Sequence, residues 1–227
     1  MVLTHISPDW ISVAESQGSP IDTLYEEEIA YLKKAGQKRR QEFAAVRHCA
    51  RIALQSLNYE RPVMVPGRSG LPTWPNGLIG SMTHCNSYCA AAVAPSQICN
   101  AIGIDAEPNR SLTPGVLDRI ASSSTECEHV QYLRALHPHI SFDRLLFSIK
   151  ESIYKAVFSD SGDSLRFKDV RVLVNPNGNF DAQITSSHLR CASLQGNWGE
   201  RDGILGSIVT IHPIDPPVRA TVLAEPH

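Results

Sequence analysis

No run in this sequence is long and apolar enough to span a bilayer as a helix. The opening Met1-Val2-Leu3-Thr4-His5 lacks the pattern of a secretory leader. Charge of one sign is also missing: 21 Lys and Arg against 23 Asp and Glu leave −2. That excludes the global basic field expected of a nucleic-acid or membrane-surface binder. The six cysteines include no Cys-x-x-Cys pair, which argues against a disulfide framework or a zinc knuckle. Reduced, mostly buried thiols in a cytoplasmic protein are the expectation. Neither a G-x-x-x-x-G-K-[ST] loop nor G-x-G-x-x-G occurs, so P-loop and Rossmann nucleotide binding find no support. Internal repeats and low-complexity segments are absent too.

What is present fits 227 residues of ordinary globular composition, enough for one large domain or two small ones. Apolar spacing predicts a helix over 22–35 and a stronger one over 38–58, with Phe43, Val46, Ala50, Leu54 and Leu57 as its stripe. Arg40, Arg47 and Arg51 fall on one flank of that helix, with Arg39 elsewhere on the wheel. Such a flank is either a solvated edge or a phosphate clamp, which arginine geometry favours. Residues 61–78 form a Pro/Gly-rich loop whose Trp74 implies a packed rather than a linking segment. Strands are predicted at 80–84, 89–94 and 102–107. A polar stretch at 109–114 divides the chain into halves, 1–108 and 109–227. Helices follow at 114–121, 124–136 (Ser123 and Glu126 forming a capping box) and 142–158. Strands are then predicted at 170–174, 180–185, about 188–195 and 204–212, with a strand and tail beyond. The class is α+β.

Two stretches carry chemistry. In Gly103-Ile104-Asp105-Ala106-Glu107-Pro108, strand alternation puts Asp105 and Glu107 on one face, roughly 7 Å apart. Two ordinary exposed acids at a strand end would look the same. A hard cation such as Mg²⁺ between them, completed by phosphate oxygens or water, is the functional alternative. In Phe147-Ser148-Ile149-Lys150-Glu151-Ser152-Ile153-Tyr154-Lys155-Ala156, Glu151 and Lys155 share a helix face, bracketed by Phe147 and Phe158. A surface ion pair would be worth only about 0.3–0.5 kcal/mol. A pair set among aromatics points to a half-buried functional one. Three carboxylates, a lysine, His84 at a strand end and upstream arginines together suit a polyphosphate substrate. His84, Cys85 and Cys89 lack the further ligands a zinc site needs. A Mg²⁺-dependent nuclease or phosphohydrolase is one rival reading, weakened by the lack of basic charge. A non-catalytic coenzyme A or nucleotide-binding module is another, although it has no need of three carboxylates and Lys155.

Gly-Ile-Asp-Ala-Glu at 103–107 and Phe-Ser-x-Lys-Glu-Ser-x-Tyr-Lys-Ala at 147–156 stand in order with two further motifs. These are Trp74-Pro75-x-Gly77-x-x-Gly80-Ser81-x-Thr83-His84-Cys85 and Arg39-Arg40-x-Glu42-Phe43. The set resembles the 4′-phosphopantetheinyl transferases, in their compact single-chain branch that serves siderophore, nonribosomal peptide and polyketide synthases. The resemblance spans roughly residues 38–185. It implies two similar α+β halves about a pseudo-twofold, in a monomer, with coenzyme A in the cleft between them. It implies that a serine of an apo acyl, peptidyl or aryl carrier protein, including those of fatty acid synthases, attacks the β-phosphate and that 3′,5′-ADP leaves. Asp105, Glu107 and Glu151 would hold Mg²⁺, with Mn²⁺ also suited to oxygen ligands. Glu151, or a water it orients, would take the serine proton, and Lys155 would hold phosphate. His84 would contact a coenzyme A phosphate, and Ser81 and Thr83 would touch phosphate through backbone amides. Arg47, then Arg40 and Arg51, with Arg68 of the loop, are the candidates for the 3′-phosphate. Where close relatives can carry a lysine after that loop arginine, this chain has Ser69.

Overall fold

The computed structural model describes residues 1–18, 24–67, 70–185 and 193–212. Around the Ala-rich run at 89–94 the first half is assembled. That run lies in β3 (Tyr88–Pro95), the centre of a three-stranded antiparallel sheet between β1 (Ser12–Gln17) and β2 (Leu78–Cys85). Both of its faces are covered, which is why it reads as one unbroken apolar run. Cys89, Ala91 and Val93 pack under the 20-residue helix α3 (Gln37–Ser56). Ala90, Ala92 and Ala94 meet Ile102 and Ile104 on the other side. Small side chains allow both layers to come close. The Pro/Gly loop is packed as expected: Met64 is fully buried, and Trp74 lies over Gly80. Upstream, α1 (Val2–Ile6) lies against the second sheet, and α2 (Glu26–Tyr31) is shorter than the 22–35 helix predicted, whose first two residues lie outside the described segments. Neither α1 nor β1 was predicted; both are too short for periodicity to register.

The second sheet has five antiparallel strands in the order β4-β8-β7-β6-β5. They are β4 (Ala101–Pro108), β5 (Val170–Val174), β6 (Asn179–Ile184), β7 (Ser193–Arg201) and β8 (Ile204–Ile211). The strand predicted over 188–195 is thus β7, running on to Arg201; residues 188–192 lie outside the described segments, as does the expected strand beyond 212. β4 pairs with β8 along its whole length, Ala101 opposite Ile211 and Pro108 opposite Ile204. A division at residue 108 would therefore cut β4 from its own sheet. Pairing between strands a hundred residues apart leaves no local trace in sequence.

Between α4 (Val116–Ile120), α5 (Ser124–Leu136) and the sheet lies the 20-residue α6 (Phe142–Ser161). Its apolar face buries Leu145, Ile149, Ile153 and Val157 against Val172, Phe180, Trp198 and Val209. On its β4 side the residues are small. Gly103 shows why: a Cβ there would stand 1.8 Å from the Ser152 carbonyl oxygen and 2.8 Å from Ala156 N. No rotamer relieves a clash with backbone. Gly103→Ala is expected to cost about 3 kcal/mol, the upper end for overpacking, read as a fall in the urea midpoint. An unchanged midpoint would show that β4 and α6 can part freely.

The outer edge of β5 is closed by side chains. Val172 N donates to Glu126 Oε1, Val170 O accepts from Lys150 Nζ at 2.8 Å, and Val174 O lies 2.9 Å from His129 Nε2. The predicted capping box at Ser123 is half made. Ser123 Oγ accepts from Glu126 N at 3.2 Å, but the Glu126 carboxylate bonds Ser122 N, Val172 N and Lys150 instead of closing the box.

Candidate active site

The two sheets meet where β2 runs beside β4, and side-chain hydroxyls make that seam. Ile104 N donates to Ser81 Oγ and Ala106 N to Thr83 Oγ1, both at 3.2 Å. Thr83 Oγ1 donates onward to Asp105 Oδ1 at 3.2 Å. Ser81 and Thr83 are buried, so their hydroxyls serve the strand junction and the aim of Asp105. The alternation predicted for β4 holds: Ile102, Ile104 and Ala106 enter the core, while Gly103 faces α6.

Across this seam α6 brings its polar face. Lys155 Nζ donates to Asp105 Oδ1 at 2.8 Å and to Ile104 O at 2.9 Å. Asp105 is buried, and among the described residues its Oδ2 has no hydrogen-bond partner. A buried, orphaned carboxylate oxygen costs free energy unless something binds it. Glu107 Oε2 accepts from Arg144 Nη1 at 3.0 Å. Burial first, then the charge of Asp105, pushes the Glu107 carboxyl above its ordinary range, against the pull of Arg144 and Lys155. Burial and then Asp105 likewise raise Glu151, with Lys155 opposing. Glu107 and Glu151 thus each lie in the field of Asp105, offset by Lys155 and, at Glu107, by Arg144. Among the described residues, no three His, Cys, Asp or Glu side chains already stand at metal-holding spacing. The donor chemistry fits a hard cation: oxygen ligands, one of them orphaned, with places left for substrate oxygens.

His84 closes the β2 side, partly exposed, with Nε2 3.9 Å from Glu42 Oε2. Burial lowers its pKa; Glu42 and Asp105 pull it up, Arg39 and Lys155 push it down. Arg39, left off the predicted flank, is therefore the α3 arginine whose charge reaches His84. The flank itself is differently employed. Arg51 is buried, its Nη2 2.7 Å from Glu28 Oε1. Arg47 is buried as well; its Nε donates to Met64 O at 2.8 Å and its guanidinium lies 3.0 Å from the Phe43 ring centre. Exposed Arg40 donates to Ala35 O and Lys33 O at the end of α2. A wheel places these arginines on a flank but cannot show that Glu28 and the 61–67 loop arrive to claim two of them. A phosphate at Arg47 or Arg51 would have to displace protein partners. Arg68 lies outside the described residues. Cys89 Sγ lies 3.4 Å from Cys49 Sγ in the core under α3, while Cys85 packs into the core on the other side of the sheet.

Two residues of α6 escaped the sequence reading. Arg144 lies seven residues before Glu151, two turns along the same face, a spacing that could have flagged it. Lys150 is employed differently from its neighbour. It is buried, and its Nζ donates to Glu126 Oε2 and to the carbonyls of Ile120, Phe167 and Val170. A 220 Å³ hollow lined by Glu151, Tyr154, Leu165 and Phe167 adjoins it.

The chain is similar to known proteins over most of its length. The sequence profile of the 4′-phosphopantetheinyl transferase N-terminal domain matches residues 26–94, and that of the 4′-phosphopantetheinyl transferase superfamily matches residues 101–203. The break between the two matches falls in the turn from β3 to β4, where one sheet gives way to the other. The chain is 36% identical over 220 residues to the 4′-phosphopantetheinyl transferase Svp of Streptomyces mobaraensis, covering 92% of this chain and 89% of that one. It is 37% identical over 194 residues to PptT of Mycobacterium tuberculosis, covering 81% and 84%. Enterobactin synthase component D of Salmonella typhimurium is 32% identical over 205 residues, covering 85% and 82%.

Proposed function

The chain belongs to the 4′-phosphopantetheinyl transferases, and from that membership we propose that it moves the phosphopantetheine arm of coenzyme A onto a serine of an apo carrier protein, releasing 3′,5′-ADP, with Mg²⁺ required. The observation that carries this reading is the field of Asp105, Glu107 and Glu151 beside Lys155, with Asp105 Oδ2 unpartnered among the described residues. Those three carboxylates would hold Mg²⁺, which, when bound, neutralises charge on the pyrophosphate where it breaks. Thr83 and Lys155 keep Asp105 in place. Lys155 uses two of its three N–H donors on Asp105 and Ile104; the third suits a phosphate oxygen. On the β2 side Arg39 supplies positive charge and His84 a ring N–H for the remaining phosphates. Glu151, half-buried on the polar face of α6, takes the serine proton as the hydroxyl oxygen attacks the β-phosphate. The bond from that phosphorus to the bridging oxygen breaks, and 3′,5′-ADP departs.

Carrier proteins of polyketide, nonribosomal peptide, siderophore or fatty acid synthases are the proposed acceptors. A cytoplasmic monomer is the proposed form, and Mn²⁺ the proposed substitute metal. Intact mass spectrometry of an apo carrier incubated with this protein, coenzyme A and Mg²⁺ is expected to show a phosphopantetheine-sized gain that EDTA abolishes. A gain that persists in EDTA would overturn the metal assignment. No gain with any of several carriers, despite coenzyme A binding, would favour the binding-module reading.

A further inference from the structure

From Ile29 to Gln41 the chain carries no acid, while Lys33, Lys34, Lys38, Arg39 and Arg40 crowd into eight residues. All five are exposed. In a chain of net charge −2 this concentration is local and sits at one place, the junction of α2 and α3. Beside it Ile29 and Tyr31 are half exposed, at 51% and 50%. The junction is held firm. Tyr31 stacks on Phe43 with ring centres 5.7 Å apart, and Arg40 ties α3 to the carbonyls that end α2. It is also continuous with the active site. Lys38 Nζ stands 3.9 Å from Glu42, Glu42 stands 3.9 Å from His84, and His84 feels Lys155 and Asp105.

We propose that the α2–α3 junction is the docking surface for the acceptor protein, which presents to it an acidic face with a small apolar centre. This rests on the transferase reading above. Charge complementarity points to the occupant. Five exposed cations follow two exposed apolar side chains, against exposed Glu26 and Glu27 one turn before them. This net positive charge favours a partner whose acids border an apolar patch and speeds its encounter. The charge of exposed Arg39 reaches His84, so one surface receives coenzyme A phosphates at its inner end and the acceptor at its outer end. Lys33, Lys34 and Ile29 belong to the outer end.

The test is a double charge reversal, Lys33→Glu with Lys34→Glu, and separately Ile29→Ser. Each variant is assayed by initial rates on an apo carrier protein with an acidic helix, and by calorimetric titration with coenzyme A. Thermal melting confirms that each is folded. The double variant is expected to raise KM for the carrier at least tenfold, with kcat and coenzyme A affinity within twofold of the parent. Rising salt is expected to weaken the parent far more than the variant. A carrier with two of its helix acids reversed to lysine is expected to recover most of the loss. Ile29→Ser is expected to raise carrier KM severalfold without changing the salt response. An unchanged carrier KM overturns the proposal, as does a parallel loss of coenzyme A affinity, which would make the lysines phosphate ligands. Failure of the underlying reading looks different: the parent protein itself would transfer nothing.

Discussion

Exchanging Glu151 for glutamine is expected to slow carrier modification by about 10²–10⁴-fold, the range for loss of a positioned acid–base group. Glutamine keeps the size and the hydrogen-bonding reach but can neither take the serine proton nor add its charge to the cation site. Coenzyme A affinity, measured without Mg²⁺, is expected to stay within a few fold, because Arg39, His84 and Lys155 are untouched. Single-turnover rates by mass spectrometry separate the two effects. A variant that retains more than a tenth of the parent rate would show that Glu151 is neither base nor ligand. The same change at Glu107 is expected to cost less, since Arg144 already shares that carboxylate.

Lys150→Met is the complementary experiment, one residue away and with a different consequence. Lys150 and Glu126 form an ion pair at 2.8 Å with side chains 1% exposed on each side. Burial drives the Lys150 pKa down, and Glu126 pulls it back. Methionine fills most of the volume but leaves the Glu126 charge buried without its counter-ion, and three carbonyls without their donor. Such a loss costs about 3–5 kcal/mol. A large drop in the urea midpoint is expected, with the m-value nearly kept. Residual activity per folded molecule is expected to remain high, because the ammonium is bonded to Glu126 and to the carbonyls of Ile120, Phe167 and Val170 rather than to Glu151. A variant as stable as the parent would mean that water enters this knot.

How much of this was legible follows from which forces leave a local signature. Strand alternation is local, so the placement of Asp105 and Glu107 on the face toward α6 could be read directly. So could the Glu151–Lys155 face of α6 and the burial of Ile149 and Ile153 opposite it. The alanine run at 89–94 betrays a strand covered on both sides by its lack of polar alternation. What could not be read is who arrives from elsewhere in the chain. Glu28 meets Arg51 across 23 residues, and β8 meets β4 across about a hundred. The arginine flank looked like one device and is three: Arg40 ends α2, Arg47 holds the loop at Met64, and Arg51 neutralises Glu28. Ser81 and Thr83 lie in a motif whose polar look invites a ligand, yet their hydroxyls are used on β4.

The side chains that close β5 also bear on how the protein behaves when crowded. An open strand edge is a template to which a second chain can add, and proteins that leave one bare tend to precipitate. Here Glu126, His129 and Lys150 occupy the outward amide and carbonyls of Val170, Val172 and Val174. The cover is only as durable as the docking of α5. Any substitution or temperature that lets α5 lift, long before global unfolding, would bare a hydrophobic Val-Arg-Val-Leu-Val segment. Light scattering at high concentration is therefore expected to rise in variants that weaken the α5–β5 contact, even where the melting midpoint is kept.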